Sequence, residues 1–175
     1  MNEPVAPPVE RTPPPKAADE RATLEGFLDF HRSTLLAKCE GLGEAALKQQ
    51  SIEPSTLTLL GLVRHLAECE RWWFRRVLAG DELDDIFCTE EFPDGDFDLI
   101  ADADAFADLQ TFHDEVAASK ETTARYDLDS IAVRKSRSGA DFNLRWIYLH
   151  MFEEYARHNG HADIIREQID GVTGE

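Results

Sequence analysis

The chain has 175 residues, which is enough for one domain with a substantial core and a tail. Its 18 basic and 35 acidic residues give a net charge of −17, so nucleic acid and anionic membrane surfaces are unfavourable partners. No apolar run approaches the roughly 20 residues of a membrane span, and the N-terminus lacks the apolar segment of a signal peptide. The three cysteines lack paired spacing, so we expect a reduced, cytoplasmic protein.

Residues 1–18 carry six of the eight prolines and almost no large apolar side chain. Proline-rich segments of this composition are extended and do not pack into a core. We therefore predict a disordered tail over residues 1–18, without a function of its own, and a folded domain over residues 19–175.

Two long helices are predicted in the first half of the chain. The first begins at Asp19 or Glu20 and ends at the Gly-Leu-Gly sequence 41–43. The second opens at Pro54–Ser55 and is closed by Gly80. Apolar residues at three- and four-residue spacing mark the inward faces of both helices. These are Leu24, Phe27, Leu28, His31, Leu35 and Cys39 in the first, and Leu59, Leu62, Val63, Leu66, Trp73 and Val77 in the second.

Two more long helices are predicted after an acidic segment. Residues 81–101 have few periodic positions and are expected to form a long loop at a site rim or an interface. A third helix is predicted over residues 103–125, followed by a short β-prone piece at 130–133. Asn143 can cap a fourth helix that ends at Gly171. Four long amphipathic helices with little strand signal predict an all-α protein, a four-helix bundle. The inward residues of the third helix are Phe106, Leu109, Phe112 and Val116.

The last predicted helix carries four groups that could bind a metal ion: His150, Glu154, His158 and His161. Residues four apart lie roughly 40° apart around an α-helix, so all four share one face. His150 and His161 are about 16 Å apart along the axis, which is too far for one ion. Adjacent members can bind zinc, nickel or iron together, as His150/Glu154, Glu154/His158 or His158/His161. Each pair needs a third ligand from elsewhere in the fold.

His65 is the strongest candidate for that third ligand. It lies near the middle of its helix among apolar neighbours, at a depth that matches the middle of the ladder formed by His150, Glu154, His158 and His161. His31 also lies on an inward stripe, where a core histidine is an equally good interpretation, and His113 is predicted to be exposed. Cys69 follows His65 by four residues and could form a competing ligand pair with it. A buried cysteine is, however, more often a core residue.

Two stretches carry a resemblance to a known family: SIEPSTLTLLGLVRHLAECERWWFRRVLAGDE at 51–82 and LRWIYLHMFEEYARHNGHADIIREQIDG at 144–171. Together they resemble the DinB-like superfamily of four-helix metalloenzymes (DinB/YfiT type), over essentially residues 20–171. Within it, the chain is similar to an actinobacterial-type branch related to mycothiol-dependent maleylpyruvate isomerase. The superfamily also contains bacillithiol-transferase-like enzymes.

The resemblance implies one divalent metal ion, held by a histidine in the second helix and by two residues of the last helix. These positions correspond to His65, Glu154 and His158. Many relatives have histidine at the position of Glu154, whereas the isomerase branch has a carboxylate there. His161 lies where many relatives have glutamine, so it is expected to support a ligand, transfer a proton or contact the substrate.

Two imidazoles and one carboxylate leave coordination positions open for water or substrate. An ion so held, with zinc favoured over nickel or iron, lowers the pKa of a bound thiol or water. Together with the resemblance, this favours S-transfer or isomerisation of a small-molecule substrate with a low-molecular-weight thiol as cosubstrate. Hydrolysis would use the same groups. His161 or His150 is the expected general base.

Arg134, Lys135 and Arg137 form the dense basic cluster of the chain. In so acidic a protein they are candidate contacts for polar or anionic groups of the thiol, although a solvated loop is the simpler interpretation. Trp72 and Trp73 point to different faces of their helix, so one can line a pocket while the other packs against a partner. We expect a homodimer.

A non-catalytic alternative is a metal-stabilised helical bundle that serves as a dimeric scaffold or a stress-response binding protein. A closed coordination shell would favour that role, whereas an open position with bound water would favour catalysis. A plain helical interaction module, the third interpretation, would bind no stoichiometric metal.

Overall fold

The computed structural model describes residues 4–174, and every regular element in them is a helix. The predicted all-α class is therefore confirmed. This part of the chain contains six α-helices and one π-helical segment, Arg71–Leu78, which continues α3 without a break. The α-helices are α1 (Glu20–Cys39), α2 (Glu44–Leu47), α3 (Leu59–Glu70), α4 (Gly95–Asp98), α5 (Ala105–Thr123) and α6 (Leu144–Asp170).

The N-terminal segment contains no helix or strand over residues 4–18, but it is attached to the folded domain. Val5 donates its N–H to the carbonyl of Leu42, and Gly41 donates its N–H to the carbonyl of Ala6. The side chain of Ala6 is buried in the core. The prediction of a disordered tail is thus corrected for these residues, because backbone hydrogen bonds and a small apolar side chain hold the segment down. Its first three residues lie outside the described part, and the domain boundary stays a prediction.

Capping side chains set where the long helices begin. Asp19, Thr58, Asp104 and Asn143 each accept a hydrogen bond from a backbone N–H in the first turn of α1, α3, α5 and α6. The sequence predicted that the second long helix begins at Pro54–Ser55. In the structure it begins after Thr58. The start of the last helix at Asn143 agrees with the prediction.

The connecting segments differ in detail from the predicted loops. Residues 81–94 have no helix or strand, but the short α4 then interrupts the loop that was predicted over 81–101. The β-prone piece at 130–133 forms only an isolated antiparallel bridge between Ile131 and Asn143. Gly171 ends α6 with a left-handed φ of 78°, as predicted.

The long helices pack in two principal pairs, α1 against α6 and α3 against α5. Between them lies an apolar core that includes Leu28, Leu35, Leu59, Leu62, Phe74, Leu144 and Met151. Two predicted inward residues are wrong, since Phe27 is 44% exposed and Phe106 is 68% exposed. Phe27 lies at the edge of its apolar stripe and Phe106 in the first turn of its helix. At such positions the spacing persists although little packs against the side chain.

A charged network in the core connects three helices. Arg32 of α1 donates from Nε and Nη2 to the two carboxylate oxygens of Glu70 on α3, at 2.8 and 2.7 Å. Tyr155 of α6 donates its hydroxyl to Glu70 Oε1 at 2.8 Å. Glu70 and Tyr155 are fully buried, and burial raises the pKa of Tyr155 well above its ordinary value, so it remains a donor. The network fixes the register of α3 against both neighbours.

The acidic segment 81–98 is fastened to α3 by two side chains. Arg64 donates to the Gly95 carbonyl at 3.0 Å, and its guanidinium lies 4.1 Å from the centre of the Phe87 ring. Glu68 Oε2 accepts the backbone N–H of Phe87 at 2.9 Å. A side chain on Gly95 would place a Cβ 2.3 Å from the Phe87 carbonyl oxygen, so only glycine fits there. These contacts hold α4 against the middle of α3.

Among the described residues, no helix is both long and apolar enough to cross a bilayer. Cys39, Cys69 and Cys88 are free thiols, in agreement with the prediction of unpaired cysteines. Cys39 is fully buried, and burial raises its thiol pKa to about 12.

We predict that the Arg32–Glu70–Tyr155 network contributes strongly to stability. Arg32→Met leaves the carboxylate of Glu70 buried and without its ion pair, so the free energy of unfolding should fall by about 3–5 kcal/mol. Tyr155→Phe removes one hydrogen bond to a charged group and should cost about 1.5–3 kcal/mol. Urea denaturation measures both. As a control, Lys135→Ala breaks only the exposed ion pair with Asp141 and should leave stability nearly unchanged. An Arg32→Met variant as stable as this control would contradict the prediction.

Candidate metal centre and adjoining cavities

α3 and α6 bring His65, Glu154 and His158 together. His65 lies in the middle of α3, and Glu154 and His158 lie one turn apart on α6. One potential ligand atom of each residue lies within 4.8 Å of the other two. The three residues singled out from the sequence are therefore neighbours in the fold.

The distances within this group suit a shared ion better than direct hydrogen bonds. Glu154 Oε2 lies 3.5 Å from His158 Nε2 and 3.9 Å from His65 Nε2. N–H···O hydrogen bonds are shorter, about 2.7–3.2 Å between the heavy atoms. Ligand atoms bound at about 2.0–2.2 Å to one tetrahedral zinc ion lie roughly 3.5 Å apart. Two imidazoles and a carboxylate at this spacing thus fit a divalent cation.

His158 is in the protonation state that a ligand requires. Burial, together with the charges of His65 and His161, lowers the pKa of His158 to about 4. The imidazole is therefore neutral at pH 7, and only a neutral imidazole can offer a lone pair to a cation.

Asp96 of α4 is a partner that sequence reasoning missed. Its Oδ2 lies 2.8 Å from His65 Nδ1, and the carboxylate is almost fully buried. An ionised carboxylate can only accept, so with Asp96 ionised Nδ1 is the donor, and Nε2, the nitrogen on the Glu154 side, can bind a cation. A carboxylate behind a histidine commonly supports a metal-bound imidazole. Asp96 lies 31 residues after His65 in a segment without helical periodicity, so no spacing pattern connected the two.

Cys69 lies at the edge of the same group. Its Sγ is 3.6 Å from His65 Nε2, and the residue is half-buried, in the wall of a cavity. It packs against the hydrophobic core, as its residue type predicted, and also borders the cavity. Burial, followed by the negative charges of Glu154 and Glu70, raises the pKa of the Cys69 thiol well above its ordinary value.

The other two histidines of the ladder flank the group, as the helix geometry predicted. His150 Nε2 lies 3.6 Å from Glu154 Oε1, and its ring stacks on Trp146 and meets the ring of Trp73 edge-on. His161 Nδ1 lies 3.4 Å from His158 Nδ1. Both are half-buried, so each can reach a proton on a bound substrate only from the periphery of the site.

The remaining histidines lie elsewhere. His31 contacts the side-chain amide of Asn159 through its Nδ1 and its carbonyl, at 3.3 and 3.1 Å. Burial lowers the pKa of His31, so it is a half-buried histidine of the helix interface, one of the two interpretations left open from the sequence. His113 is exposed, as predicted.

Two cavities adjoin the side chains of Trp72 and Trp73. One, of about 320 Å³, has His65 and Cys69 in its wall, and we call it the inner cavity. The other, of about 390 Å³, has the cationic loop 134–137 in its wall, and we call it the outer cavity. Because both tryptophans line both cavities, a ligand could extend from the ligand group to the cationic loop across them.

The cationic cluster predicted from the sequence is accessible from the outer cavity. Arg134 donates to the carbonyl of Asp81 at 3.4 Å, and Lys135 pairs with Asp141 at 2.8 Å. Arg137 is exposed. The cluster therefore lies on a cavity wall that also includes aromatic side chains, not on an isolated surface loop.

A larger cavity of about 510 Å³ lies between α1, α5 and α6, away from the histidines. Charged side chains in its wall pair with one another, as in Lys120–Asp29 at 2.9 Å and Arg21–Glu25 at 2.8 Å. Size alone therefore does not identify the functional site.

Comparison with family models assigns the chain. The model of the mycothiol S-transferase family matches residues 23–171, which include both helices of the ligand group. The chain belongs to the mycothiol S-transferase family. This is a DinB-like family, so the resemblance noted from the two sequence stretches is confirmed. A search of curated proteins and a search of solved structures found no match.

For this member of the mycothiol S-transferase family, we predict that Asp96 tunes the affinity for a divalent ion. Asp96→Ala removes the acceptor behind His65 and should weaken zinc binding about 10–100-fold, as loss of such partners typically does. Competition with a chromophoric chelator measures the affinity. Asp98→Ala is the matched control, since Asp98 belongs to the same short helix but is exposed. Equal affinities in the two variants would show that Asp96 does not support the ligand.

Proposed function

We propose that the protein is a divalent-metal-dependent S-transferase that uses mycothiol as its thiol. The family implies a mycothiol-dependent transfer. The observation that carries the metal proposal is the convergence of His65, Glu154 and His158 within 4.8 Å, at distances too long for hydrogen bonds. Zinc is the preferred ion, with nickel and iron as alternatives.

His65, Glu154 and His158 would hold the ion, and Asp96 would fix the imidazole of His65. When bound, a divalent ion of this kind supplies a Lewis acid that lowers the pKa of a thiol. Three protein ligands leave open positions, the arrangement of catalytic rather than structural sites. Glu154 brings one negative charge, so the ion would be less acidic than with three neutral imidazoles.

The proton of the mycothiol S–H group needs an acceptor in the site. We propose His161 or His150 for this role, since both lie within one contact of the ligand group on α6. The thiolate then attacks an electrophilic carbon, a C–S bond forms, and the leaving group departs with the electron pair of its bond. Neither step consumes an oxidant or a reductant.

The outer cavity is the proposed binding site for the part of mycothiol that does not react. Arg134, Lys135 and Arg137 offer several N–H donors to polar or anionic groups of the cosubstrate. Trp72, with the Arg76 guanidinium 4.7 Å from its ring centre, and Trp73 line both cavities and so lie between these donors and the ligand group. We propose that mycothiol lies across the two tryptophans with its sulfur towards His65.

Two other functions use parts of the same arrangement. An isomerase would use the same thiol without a leaving group, and the carboxylate ligand Glu154 is the feature that the isomerase branch shares. A metal-stabilised scaffold, dimeric as expected from the sequence, would have a closed coordination shell.

The tertiary arrangement proposed for all of them is the four-helix bundle of the DinB type, formed by α1, α3 with its π-helical continuation, α5 and α6.

We predict one divalent ion per chain in untagged protein, lost in His65→Ala and largely retained in His150→Ala. His65 contributes a ligand atom at the centre of the group, whereas His150 is about two turns from His158 and too distant to share its ion at bond lengths of about 2 Å. Elemental analysis after metal supplementation checks both variants. Cys69→Ser, which changes the competing ligand, should retain the ion. Equal metal loss in His65→Ala and His150→Ala would mean that the wrong part of the ladder was assigned.

We also predict that mycothiol binds at the ion. In cobalt-substituted protein, millimolar mycothiol should shift the d–d absorption and release a proton near neutral pH. Conjugation of mycothiol to chlorodinitrobenzene should require the metal and return when metal is restored. Glutathione, bacillithiol and cysteine serve as comparison thiols. If none of the four thiols alters the cobalt spectrum, the thiol mechanism fails, and hydrolysis or a structural role becomes the better proposal.

A further inference from the structure

The wall of the inner cavity includes three aromatic side chains, Trp72, Trp73 and Phe97, next to His65. The ring of Phe97 lies 5.3 Å from the ring of His65, centre to centre, with an angle of 31° between the planes. Trp72 and Trp73 form another part of the wall. A Cβ on Gly61 would lie 2.8 Å from Phe97 Cδ1, so the absence of a side chain there allows Phe97 to approach α3. Flat rings of this kind hold planar apolar groups by stacking and by contact.

The charged groups in the wall of the inner cavity are acidic. Glu68, Asp85, Asp94 and Asp96 line it, and among the described residues its wall contains no lysine or arginine. Asp96 is engaged by His65, and Glu68 by backbone N–H groups of the loop. Asp94 is exposed and lines the cavity, so it belongs to the part of the wall that opens to solvent, the cavity mouth. It makes no capping hydrogen bond at the start of α4.

The arginines nearest to this cavity do not offset the acidic lining. Arg76 of the π-helical segment pairs with Asp85, and Arg71 and Arg75 both bind Glu115 of α5, at 2.5 and 3.2 Å. Arg76 and Asp85 offset each other, whereas Arg71 and Arg75 share Glu115, and Arg75 also lies 3.8 Å from Asp81. The negative charges left in the cavity wall are those of Glu68, Asp94 and Asp96. An anion entering the cavity would meet this negative charge in a partly desolvated space, where charges interact more strongly than in water. The proposed ion does not reverse this, since Glu154 and a bound thiolate together offset its two positive charges.

We infer that the inner cavity is the acceptor subsite, and that it selects uncharged or cationic aromatic electrophiles and rejects anionic ones. The inference rests on the proposed thiol transfer, since it assigns the second substrate of that reaction. The sulfur attacks a ring carbon of an aryl halide held in the inner cavity, whose wall includes Trp72 and Phe97, the C–S bond forms, and the halide leaves with the bonding electron pair. The proton of the thiol goes to the base, so atoms and charge balance.

A matched pair of electrophiles tests the inference on the metal-loaded protein. Chlorodinitrobenzene that carries a para carboxylate and its methyl ester react at the same carbon with loss of chloride, and differ by one negative charge. The rate of each with free mycothiol corrects for intrinsic reactivity. We expect a corrected kcat/KM about tenfold or more higher for the ester than for the acid, since several carboxylates act together.

Charge substitutions at the cavity mouth show whether the acidic lining causes the preference for the ester over the acid. Asp94→Lys should raise kcat/KM for the acid and reduce the ester-to-acid ratio severalfold, an effect that high salt should weaken. Asp102→Lys makes the same change at an exposed position outside the cavity wall and should leave the ratio as it is. Trp72→Ala should raise KM for the ester about 2–10-fold, whereas Phe106→Ala should not.

The outcomes separate the two proposals. Transfer to both compounds with an equal ratio or a preference for the acid overturns the acceptor inference and leaves the thiol transfer standing. An ester preference that Asp94→Lys and Asp102→Lys change equally also overturns it, because the selectivity would then follow total charge. If neither electrophile reacts while the metal is bound, the proposed transfer is wrong, and the acceptor inference with it.

Discussion

The buried network of Arg32, Glu70 and Tyr155 is the constraint on which the candidate site depends. A carboxylate inside an apolar core is tolerated only when its charge and its oxygens are paired, so α1 and α6 must meet α3 at the height of Glu70. A slip of one helical turn would move a ligand by about 5.4 Å. That exceeds the 4.8 Å within which the three ligand atoms lie. The network performs no chemistry, but it places His65 opposite the ladder on α6.

The carboxylates next to the histidines and the carboxylates at the cavity mouth have different surroundings. The chain carries a net charge of −17, yet the carboxylates close to the histidines have specific partners. Asp96 accepts from His65, and Glu154 faces the imidazoles of α3 and α6 at more than hydrogen-bond distance. Those two can stabilise a cation and its ligands. Asp94, an exposed carboxylate at the cavity mouth, is proposed instead to act on the charge of an entering substrate.

The sequence predicted the parts of the site that follow from helix geometry. The spacing of His150, Glu154, His158 and His161 is a local property of one helix, and the structure keeps all four in contact along one face. His65 followed from its depth in its helix. Asp96 did not, because its position depends on how the segment 81–98 is fastened to α3 by Arg64 and Glu68. The same limit explains Phe27 and Phe106, since periodicity predicts a face but not how far the neighbouring helices cover it.

The proposed metal ligands lie on helices, whereas part of the proposed substrate cavity is formed by a loop segment. This difference bears on which reaction is proposed for the protein. The groups proposed to hold the ion lie on α3 and α6, whereas the wall of the inner cavity includes Asp85, Asp94 and Phe97 from the segment 81–98. Helices fix the ligand geometry, and loops around a fixed site can change which substrate is accepted. Glu154 alone resembles the isomerase branch, whose substrate, maleylpyruvate, is an anion. If the inner cavity is the acceptor subsite, as inferred above, its acidic wall opposes that substrate, and the loop favours the proposed transfer to an uncharged acceptor even though the carboxylate ligand is shared.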